Sequence, residues 1–597
     1  MHVMEKYKVL ESVFGYKNFR DFQEESIDAL LDGKDVLTIL PTGGGKSLCY
    51  QLPSLLMDGV SVVISPLIAL MQDQVRGLTE NGIEARTINS DMSEEERQEV
   101  FLSLRNGTVK LLYVAPERMV LPSFISFLQT LNVNFFVVDE AHCVSEWGHE
   151  FRADYRALYL LKENFPDTPV AAFTATATPK VAEDIQKALR LEDPYYSRGK
   201  VYRDNLFIHT QKRVSNGRAQ LLHFLQKYKG QCGIVYTFTR KETEEVAKFL
   251  QSKNISARAY HARLDKEVKA KVFHDFLYDK LDIVVATIAF GMGIDKSNIR
   301  FVVHTSLPKT IENYYQEIGR AGRDGLESET LLLYTKGDEI QKRELMNNVE
   351  NVDYQEVLYE KLQKMYRFAL SNSCKHKLLG TYFGDDSELC EDKCDSCVRE
   401  PSEQKDISKE AQMFLSAIYR TGARFGQNHL IDVLRGSQAA KVLQFEHEKL
   451  SVYGIGKEYA KKVWEMIVDR LHELEALEVG EHRAVIMTNV GIEILKGQKS
   501  VEIDEDKLGN EQYIIEEDTY EERDETFESF RSLRMKIATK SEVPAYIVFS
   551  DKTLKDMAQK LPQSKEEMLE VNGIGEVKFK RYGEEFLALS RELATEA

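Results

Sequence analysis

The sequence predicts a multidomain α/β protein with two consecutive parallel-sheet lobes followed by mainly helical domains. Short apolar runs alternate with amphipathic segments, which is typical of buried parallel strands joined by helices. This series restarts near residue 205, and it stops after residue 340, where helical sequence takes over. An alternating pattern that occurs twice and then ends indicates two α/β lobes and a helical C-terminal part.

The apolar runs are five to seven residues long, which is a typical length for strands. Those of the first lobe lie at 35–40 (DVLTIL), 60–65 (VSVVIS), 111–115 (LLYVA), 135–139 (FFVVD) and 170–175 (VAAFTA). Those of the second lobe lie at 233–238 (GIVYTF), 281–287 (LDIVVAT), 299–305 (IRFVVHT) and 329–335 (ETLLLYT).

Length and charge set only loose limits on the function. A chain of 597 residues has room for about three to five domains. Its net charge of −17 argues mildly against nucleic acid, because phosphate binding requires Lys and Arg. Net charge is a whole-chain average, however, and an acidic protein can still carry one basic cleft.

The cysteines indicate a reducing compartment, and the N-terminal sequence indicates that the protein is not secreted. Cys49, Cys143 and Cys232 stand singly, whereas the other four cysteines are clustered, which favours metal binding over disulfides. The N-terminal residues show no signal-peptide pattern, and no run approaches the length of a membrane span. We therefore expect a cytoplasmic protein.

A phosphate-binding loop is predicted directly after the first strand. Residues 41–47 (PTGGGKS) lie between that strand and a helical segment, which is the context that such a loop requires. Glycines let backbone amides approach phosphate oxygens, and the helix N-terminus adds partial positive charge. Lys46 is expected to reach the β- and γ-phosphates and Ser47 to hold Mg²⁺. The expected nucleotide-binding residues of the loop are Thr42, Gly43, Gly45, Lys46 and Ser47.

Two further segments supply the chemistry of phosphoryl transfer. Asp139 and Glu140 follow the fourth strand at its carboxyl end, where α/β proteins bind ligands. Asp139 suits Mg²⁺ coordination, and Glu140 suits activation of the attacking water. Arg320 and Arg323, in QEIGRAGR, are predicted on one face of a helix, and planar guanidinium groups suit the charge of a transferring phosphoryl group. The predicted reaction is ATP hydrolysis, with lobe closure bringing the arginines to the phosphates.

These segments resemble, in order and spacing, the motifs of superfamily 2 helicases. That family has two RecA-like lobes that clamp one ATP. The segment Thr174-Ala-Thr176 is similar to its lobe-coupling motif, and residues 65–74 and 115–118 are similar to its first-lobe strand-binding motifs. Residues 286–296 are similar to its second-lobe motif between DNA and nucleotide. By resemblance, Thr174 and Thr176 connect ATP hydrolysis to the bound strand.

Three features narrow the resemblance to the RecQ DNA helicases, and the compact set of domains indicates the bacterial type. The segment FGYKNFRDFQ (14–23) is similar to its N-terminal motif, which implies that Gln23 bonds the adenine edge while Tyr16 and Arg20 pack against the base or sugar. The segment HCVSEWGHEFR (142–152) is similar to its aromatic-rich loop. This resemblance implies DNA-binding or coupling roles for His142, Trp147, Phe151 and Arg152.

The third feature is the cysteine cluster. Gaps of fifteen, three and two residues separate its four members, and four thiolates at such spacing favour a closed tetrahedral Zn²⁺ site of structural type. The predicted zinc ligands are Cys374, Cys390, Cys394 and Cys397.

The resemblance also divides the chain into domains. The last two are similar to the winged-helix and HRDC domains of RecQ proteins, the HRDC domain being small and all-α. The expected boundaries are 1–204 and 205–340 for the lobes, 341–400 for a helical zinc-binding domain, 408–500 for the winged helix, 501–526 for an acidic linker and 527–597 for HRDC. Residues 401–407 are expected to be a further linker. A hairpin is predicted at 474–488, and its tip offers His482 but no aromatic strand-separating wedge.

The resemblance implies an ATP-dependent 3′-to-5′ DNA helicase in recombination, repair, the SOS response and replication-fork processing. Its cofactors are ATP, Mg²⁺ and structural Zn²⁺. Its expected partners are single-stranded DNA, duplex junctions and single-stranded DNA-binding protein, and we expect a monomer at the nucleoid. Two alternatives stay open: an RNA helicase, and a nucleic-acid scaffold whose ATPase has decayed.

Overall fold

The computed structural model describes residues 2–145, 152–288, 290, 296–347, 349, 351–386, 388–399, 403–480, 484–504 and 525–596. The chain forms two compact units. The first contains Met1–Tyr334, Cys374–Asp395 and Tyr520–Ala597. The second contains Thr335–Ser373 and Ser396–Thr519.

The first lobe is a parallel sheet of seven strands in the order β3-β4-β2-β5-β6-β1-β7. Its strands are β1 Val36–Ile39, β2 Val60–Ile64, β3 Ala85–Ile88, β4 Leu111–Val114, β5 Val133–Val138, β6 Val170–Thr174 and β7 Tyr195–Arg198. Its helices are His2–Phe14, Gln23–Leu31, Lys46–Leu56, Ile68–Glu80, Glu94–Arg105, Pro116–Met119, Pro122–Leu128, Ala153–Arg156, Leu160–Asn164 and Pro179–Leu189, with 3₁₀ turns at Ala141–Val144 and Ala157–Tyr159.

Both faces of this sheet are covered. Val62 and Ile64 of β2 belong to one apolar cluster, whereas Val63 between them belongs to another. Because successive side chains of a strand point to opposite faces, these two clusters are the cores on the two sides of the sheet. Burial on both sides explains why the strands read as continuous apolar runs.

The second lobe is a parallel sheet of six strands in the order β10-β11-β9-β12-β13-β8. Its strands are β8 Leu206–Lys212, β9 Cys232–Tyr236, β10 Ala257–Tyr260, β11 Ile283–Ala286, β12 Ile299–His304 and β13 Ser328–Tyr334. Its helices are Arg218–Gln226, Arg240–Gln251, Lys266–Leu277 and Ile311–Ile318. The two predicted lobes are confirmed, and each predicted strand is present.

The sequence did not predict β3, β7, β8 and β10. These four are the edge strands of the two sheets. Their side chains are partly exposed, as in the Ala85–Ile88 strand, where the two central residues are half-buried. An edge strand has only one neighbour and carries polar residues, so it lacks the continuous apolar run on which the prediction depended.

The C-terminal part of the first unit is a small helical domain, as predicted. Its helices are Glu525–Ser541, Ala545–Val548, Asp551–Lys560, Lys565–Leu569, Glu576–Lys578 and Glu584–Glu596, with a π-helical turn at Phe579–Gly583. It has its own core, which includes Phe530, Phe549, Met557 and Phe586. A buried ion pair between Arg534 and Asp551 at 2.8 Å lies beside this core.

The second unit is mostly helical. Its helices are Lys336–Met346, Val352–Leu370, Asp395–Val398 at its boundary, Ser408–Arg420, Gln427–Leu434, Ala440–Gln444, Lys461–Glu473 and Asn489–Leu495, with a 3₁₀ turn at His447–Lys449. Its core centres on Trp464, which is fully buried and donates its indole N–H to the Gly456 carbonyl at 3.1 Å. The segment Lys375–Phe383 is a helix of the first unit.

The short strands of the second unit confirm one prediction and correct another. Leu477–Val479 (β15) pairs antiparallel with Val485–Met487 (β16), so the predicted hairpin is present, while His482 at its tip lies outside the described residues. Gln404–Asp406 (β14) pairs antiparallel with Glu502–Asp504 (β17). Residues 404–406 and 502–504 were predicted as linkers, which was wrong because three-residue polar strands give no periodic signal. Most of the predicted acidic linker, residues 505–524, also lies outside the described part of the chain. Within the described ranges, no helix has both the length and the apolar character that crossing a bilayer requires.

Candidate nucleotide and zinc sites

The predicted phosphate loop joins β1 to the helix Lys46–Leu56, as the sequence required. Gly43 and Gly45 have φ values of +84° and +79°, a conformation that side chains with a Cβ rarely adopt. A Cβ on Gly45 would lie 2.3 Å from Nε2 of Gln23. Glycine is therefore required at position 45 for two reasons: the turn has a positive φ there, and the Gln23 side chain lies too close for a Cβ.

Lys46 begins the helix and folds back over the loop. Its ammonium donates to the Leu40 carbonyl at 3.0 Å and to the Pro41 carbonyl at 3.4 Å. Burial lowers the pKa of Lys46, against the opposing influence of Glu140 and Asp139. The ammonium thus occupies the loop that is expected to receive the phosphates, held by carbonyls that an anionic ligand can replace.

The N-terminal motif lies directly against this loop. Arg20 donates to the Gly43 carbonyl at 2.6 Å. The Gln23 side chain is buried, accepts from the Arg20 backbone N–H at 2.9 Å and donates to the Gly45 carbonyl at 3.1 Å. Tyr16 is 39% exposed, so its ring is available to a ligand. The structure therefore brings Arg20 and Gln23 to the phosphate loop, with Tyr16 nearby in the same N-terminal motif.

Asp139 and Glu140 follow β5 at its carboxyl end, beside the loop. Burial and the neighbouring Glu140 raise the pKa of Asp139 to about 7, while Lys46 lowers it. Glu140 has a φ of +49°, an uncommon conformation for a residue with a side chain and one that is concentrated at functional sites. Two adjacent, half-buried carboxylates fit a divalent cation, because the cation would offset their mutual repulsion. Asp139, with Ser47, is the group that would hold Mg²⁺ here.

His142 connects the acidic motif to the coupling motif. Its Nδ1 lies 2.9 Å from Oγ1 of Thr174 and 3.3 Å from Oε2 of Glu140. His142 is 1% exposed. Burial alone would lower the pKa of His142, but Cys143 and Glu140 raise it well above its ordinary value. Thr174 also accepts from the Thr176 N–H at 3.4 Å, so one buried chain of contacts links Glu140 to both predicted coupling threonines.

The second lobe brings Arg323, and the turn that carries Arg320, to the phosphate loop. A Cβ on Gly43 would lie 3.5 Å from the Cα of Arg323, and a Cβ on Gly319 would lie 2.9 Å from the Cβ of Thr42. Arg320 is buried. The prediction that both arginines share a helix face was wrong, because the helix ends at Ile318 and Gly322, at φ +61°, lies in the turn between them.

Two residues that were not predicted from the sequence support these groups. Arg203 donates to the Gly319 carbonyl at 3.3 Å and to the Gly322 carbonyl at 2.8 Å, which fixes the arginine-bearing turn. Tyr155 donates to the Asp139 carbonyl at 3.1 Å and is fully buried. Neither lies in a recognisable motif, so the sequence carried no signal for them.

The four clustered cysteines meet, as predicted. Their sulfur atoms lie within 4.8 Å of one another, and tetrahedral zinc with Zn–S bonds of about 2.3 Å needs sulfurs roughly 3.8 Å apart. The Cys374 sulfur accepts the backbone N–H groups of Lys377 at 3.5 Å and Cys390 at 3.3 Å. Amides directed at sulfur suit thiolates better than thiols. Cys374, Cys390, Cys394 and Cys397 therefore fit a structural Zn²⁺ ion.

Comparison with known proteins agrees with this geometry. Five family descriptions match successive segments of the chain: DEAD/DEAH box helicase at 20–185, helicase conserved C-terminal domain at 217–325, RecQ zinc-binding at 336–398, RQC domain at 401–512 and HRDC domain at 524–589.

Full-length relatives decide the family. The ATP-dependent DNA helicase RecQ of Haemophilus influenzae is 41% identical over 593 residues, covering 98% of this chain and 95% of that protein. The Pasteurella multocida protein of the same name is 42% identical, covering 98% and 93%. The Bacillus subtilis protein is 39% identical, covering 97% of each. This chain belongs to the RecQ family. The five matched segments also agree with the predicted order of RecQ domains.

The aromatic-rich loop of this RecQ chain is only partly described. Trp147 and Phe151 lie outside the described residues. Arg152, just beyond them, donates to the Pro66 carbonyl at 3.1 Å, and its backbone N–H donates to the Cys143 carbonyl at 3.0 Å. The loop therefore begins at His142 beside the acidic motif and ends against the Pro66 segment, one of the predicted strand-binding motifs.

Proposed function

We propose that this chain is an ATP-dependent DNA helicase that moves 3′ to 5′ along single-stranded DNA and separates duplex DNA. The observation that carries the proposal is the convergence of Lys46, Asp139, Glu140 and Arg323 on one loop between two lobes. Phosphoryl transfer requires positioned charge, a metal and an oriented water, and these residues match that set. The names of the full-length relatives support DNA as the strand.

Each residue has a defined part in this proposal. Lys46 leaves the carbonyls of Leu40 and Pro41 and binds the phosphates. Asp139 and Ser47 would hold Mg²⁺, which would supply positive charge beside the phosphates. Glu140 orients the water. Arg323, with Arg320, stabilises the charge that develops on the transferred phosphoryl group.

The adenine end of the nucleotide is bound by the N-terminal motif. The Gln23 amide presents a donor and an acceptor, which matches the adenine edge, and Tyr16 and Arg20 pack against the base or sugar. Hydrolysis is coupled to the strand through His142, Thr174 and Thr176, and Trp147, Phe151 and Arg152 contact unpaired DNA. Lobe movement during each ATP cycle then draws single strand through the cleft.

The wider assignments follow the family. The protein acts in recombination, repair and replication-fork processing, in the cytoplasm and at the nucleoid. It works as a monomer, and single-stranded DNA-binding protein is its partner at the winged-helix domain. The proposed domain boundaries are those given above, except that the paired strands Gln404–Asp406 and Glu502–Asp504 belong to the winged-helix domain. Residues 341–400 hold the zinc.

ATP turnover with and without single-stranded DNA tests the proposal. Single-stranded DNA should increase the rate of ATP hydrolysis by the wild type. The Lys46→Ala substitution should abolish ATP hydrolysis while leaving DNA binding intact. Lys110→Ala is the matched control, because its ammonium bonds the Met57 carbonyl away from the site. ATP turnover by the Lys46→Ala variant would show that the phosphate site lies elsewhere. If the wild type itself does not hydrolyse ATP, the protein is better explained as a nucleic-acid scaffold whose ATPase has decayed.

A further inference from the structure

The C-terminal helical domain, residues 525–596, lies against the first lobe at the end of the helix Ile68–Glu80. The Glu80 carboxylate accepts the Tyr582 hydroxyl at 2.8 Å and also pairs with Arg581. Tyr546 donates to the Asp73 carboxylate at 3.3 Å on the same helix. These polar contacts surround a closer contact between backbones.

That closer contact is made by glycines. The Gly573 N–H donates to the Gly15 carbonyl at 3.1 Å. A Cβ on Gly575 would lie 2.8 Å from the Ser12 carbonyl oxygen and 3.4 Å from that of Glu11. A Cβ on Gly15 would in turn lie 2.9 Å from Gly573 and Ile574. The loop of the C-terminal domain thus fits against the turn at Gly15 only because neither side has a side chain.

The turn at Gly15 lies within the N-terminal motif, directly before the predicted adenine-contacting residues. Tyr16 follows it, and its N–H donates to the Leu10 carbonyl at 3.2 Å. Arg20 and Gln23, further along the same segment, bond the phosphate loop. A movement of the turn would therefore be transmitted to the residues that contact the nucleotide.

The same domain also touches the second lobe. Tyr278 donates to the Glu542 carbonyl at 2.8 Å, and Arg531 donates to the Gly230 carbonyl at 3.3 Å. The ammonium of Lys296 lies 5.9 Å from the ring centre of Tyr546. These contacts hold the domain from the other side, so that its glycine loop stays pressed on the Gly15 turn.

We propose that the loop Asn572–Gly575 is a positioning element for ATP binding, which holds the N-terminal motif against the phosphate loop. Its docking raises the affinity for ATP and leaves the chemical step unchanged. The inference rests on the proposed role of the N-terminal motif in binding adenine. The domain has its own core, so it can release the turn without unfolding.

Gly575→Ala in the full-length protein breaks the docking selectively. The atoms nearest to the added Cβ belong to Ser12, Glu11 and Gly15, and the φ of Gly575 is −98°, which alanine adopts without strain. Gly77→Ala is the matched control. Gly77 lies in the helix that carries Glu80, and a Cβ there meets nothing within 4 Å.

Steady-state ATP turnover with saturating single-stranded DNA gives the main readout. Gly575→Ala should raise the KM for ATP about five-fold or more, with kcat within about two-fold of wild type, whereas Gly77→Ala should change neither. Amide exchange of residues 571–575 should become faster in Gly575→Ala. A reduced kcat with an unchanged KM for ATP would overturn the proposal. An unchanged rate of amide exchange at residues 571–575 would also overturn it, since the contact between this loop and the Gly15 turn would then be absent in solution.

A charge swap supplies an independent variant. Glu80→Arg should raise the KM in the same way, and adding Arg581→Glu should restore it. Failure of the swap to restore a raised KM would count against docking as the cause. The Gln23→Ala variant separates this inference from the proposed function. If Gln23→Ala raises the KM for ATP and Gly575→Ala does not, only the positioning role of the loop fails. If Gln23→Ala leaves the KM for ATP unchanged, the proposed role of the N-terminal motif in binding adenine fails.

Discussion

Replacing His142 by alanine perturbs the link between ATP hydrolysis and the bound strand. The substitution removes the 2.9 Å contact with Thr174 and the 3.3 Å contact with Glu140. Loss of a buried hydrogen-bond partner costs about 1–3 kcal/mol. This cost applies to the DNA-bound state, in which His142 connects Thr174 to Glu140. DNA-stimulated ATP turnover should therefore decrease by roughly 5- to 150-fold, since about 1.4 kcal/mol corresponds to a tenfold change in rate.

The basal rate should decrease much less, because Lys46, Asp139 and the second-lobe arginines remain in place. The assay measures ATP turnover at saturating ATP, with and without saturating single-stranded DNA. His142→Gln is the informative second variant, since its amide can bond Thr174 in part and should recover some of the stimulation. His274→Ala is a control, because His274 is an exposed histidine of the second lobe.

Equal losses of basal and stimulated turnover in His142→Ala would refute this reasoning. They would mean that His142 supports the hydrolytic site itself and does not transmit the state of the strand. Unchanged stimulation would place the coupling in other residues.

Three further predictions concern charge, metal and strand. Because burial and Glu140 raise the pKa of Asp139 to about 7, compared with about 3.9 when unfolded, the folded state holds this proton more tightly, and this group's contribution to stability falls as pH rises from about 4 to about 7. In thermal unfolding of the nucleotide-free protein, the stability of Asp139→Asn relative to wild type should therefore be higher at pH 8 than at pH 5. The same difference between variant and wild type at both pH values would contradict the raised pKa of Asp139. Cys394→Ser should lower bound zinc, measured by metal analysis, and lower the unfolding temperature, whereas Cys49→Ser should leave the zinc content unchanged. Trp147→Ala should weaken DNA-stimulated turnover more than basal turnover, and equal weakening would indicate a structural role.

The interior strands and the motif residues could be predicted because their signals are local. Continuous apolar runs mark the strands that are buried on both faces. The phosphate loop, the acidic pair and the cysteines are defined by spacing along the chain, and the structure brings each set together.

The parts that were not predicted depend on distant contacts. The edge strands carry polar residues, so that β3 and β7 could not be told from loops. The turn that holds Arg320 and Arg323 needs Arg203, which lies far from it in sequence. The contact of Gly575 with Ser12 depends on two backbones that have no side chain between them, and no sequence pattern marks such a fit.

Strand separation tests most directly whether this protein is a DNA helicase. A 3′-tailed DNA duplex and its RNA counterpart are each incubated with the protein, ATP and Mg²⁺, beside the Lys46→Ala variant. The wild type should separate the DNA duplex only, and Lys46→Ala should separate neither duplex. Separation of the RNA duplex only would support the RNA helicase alternative, and ATP consumption without separation of either duplex would contradict the helicase assignment.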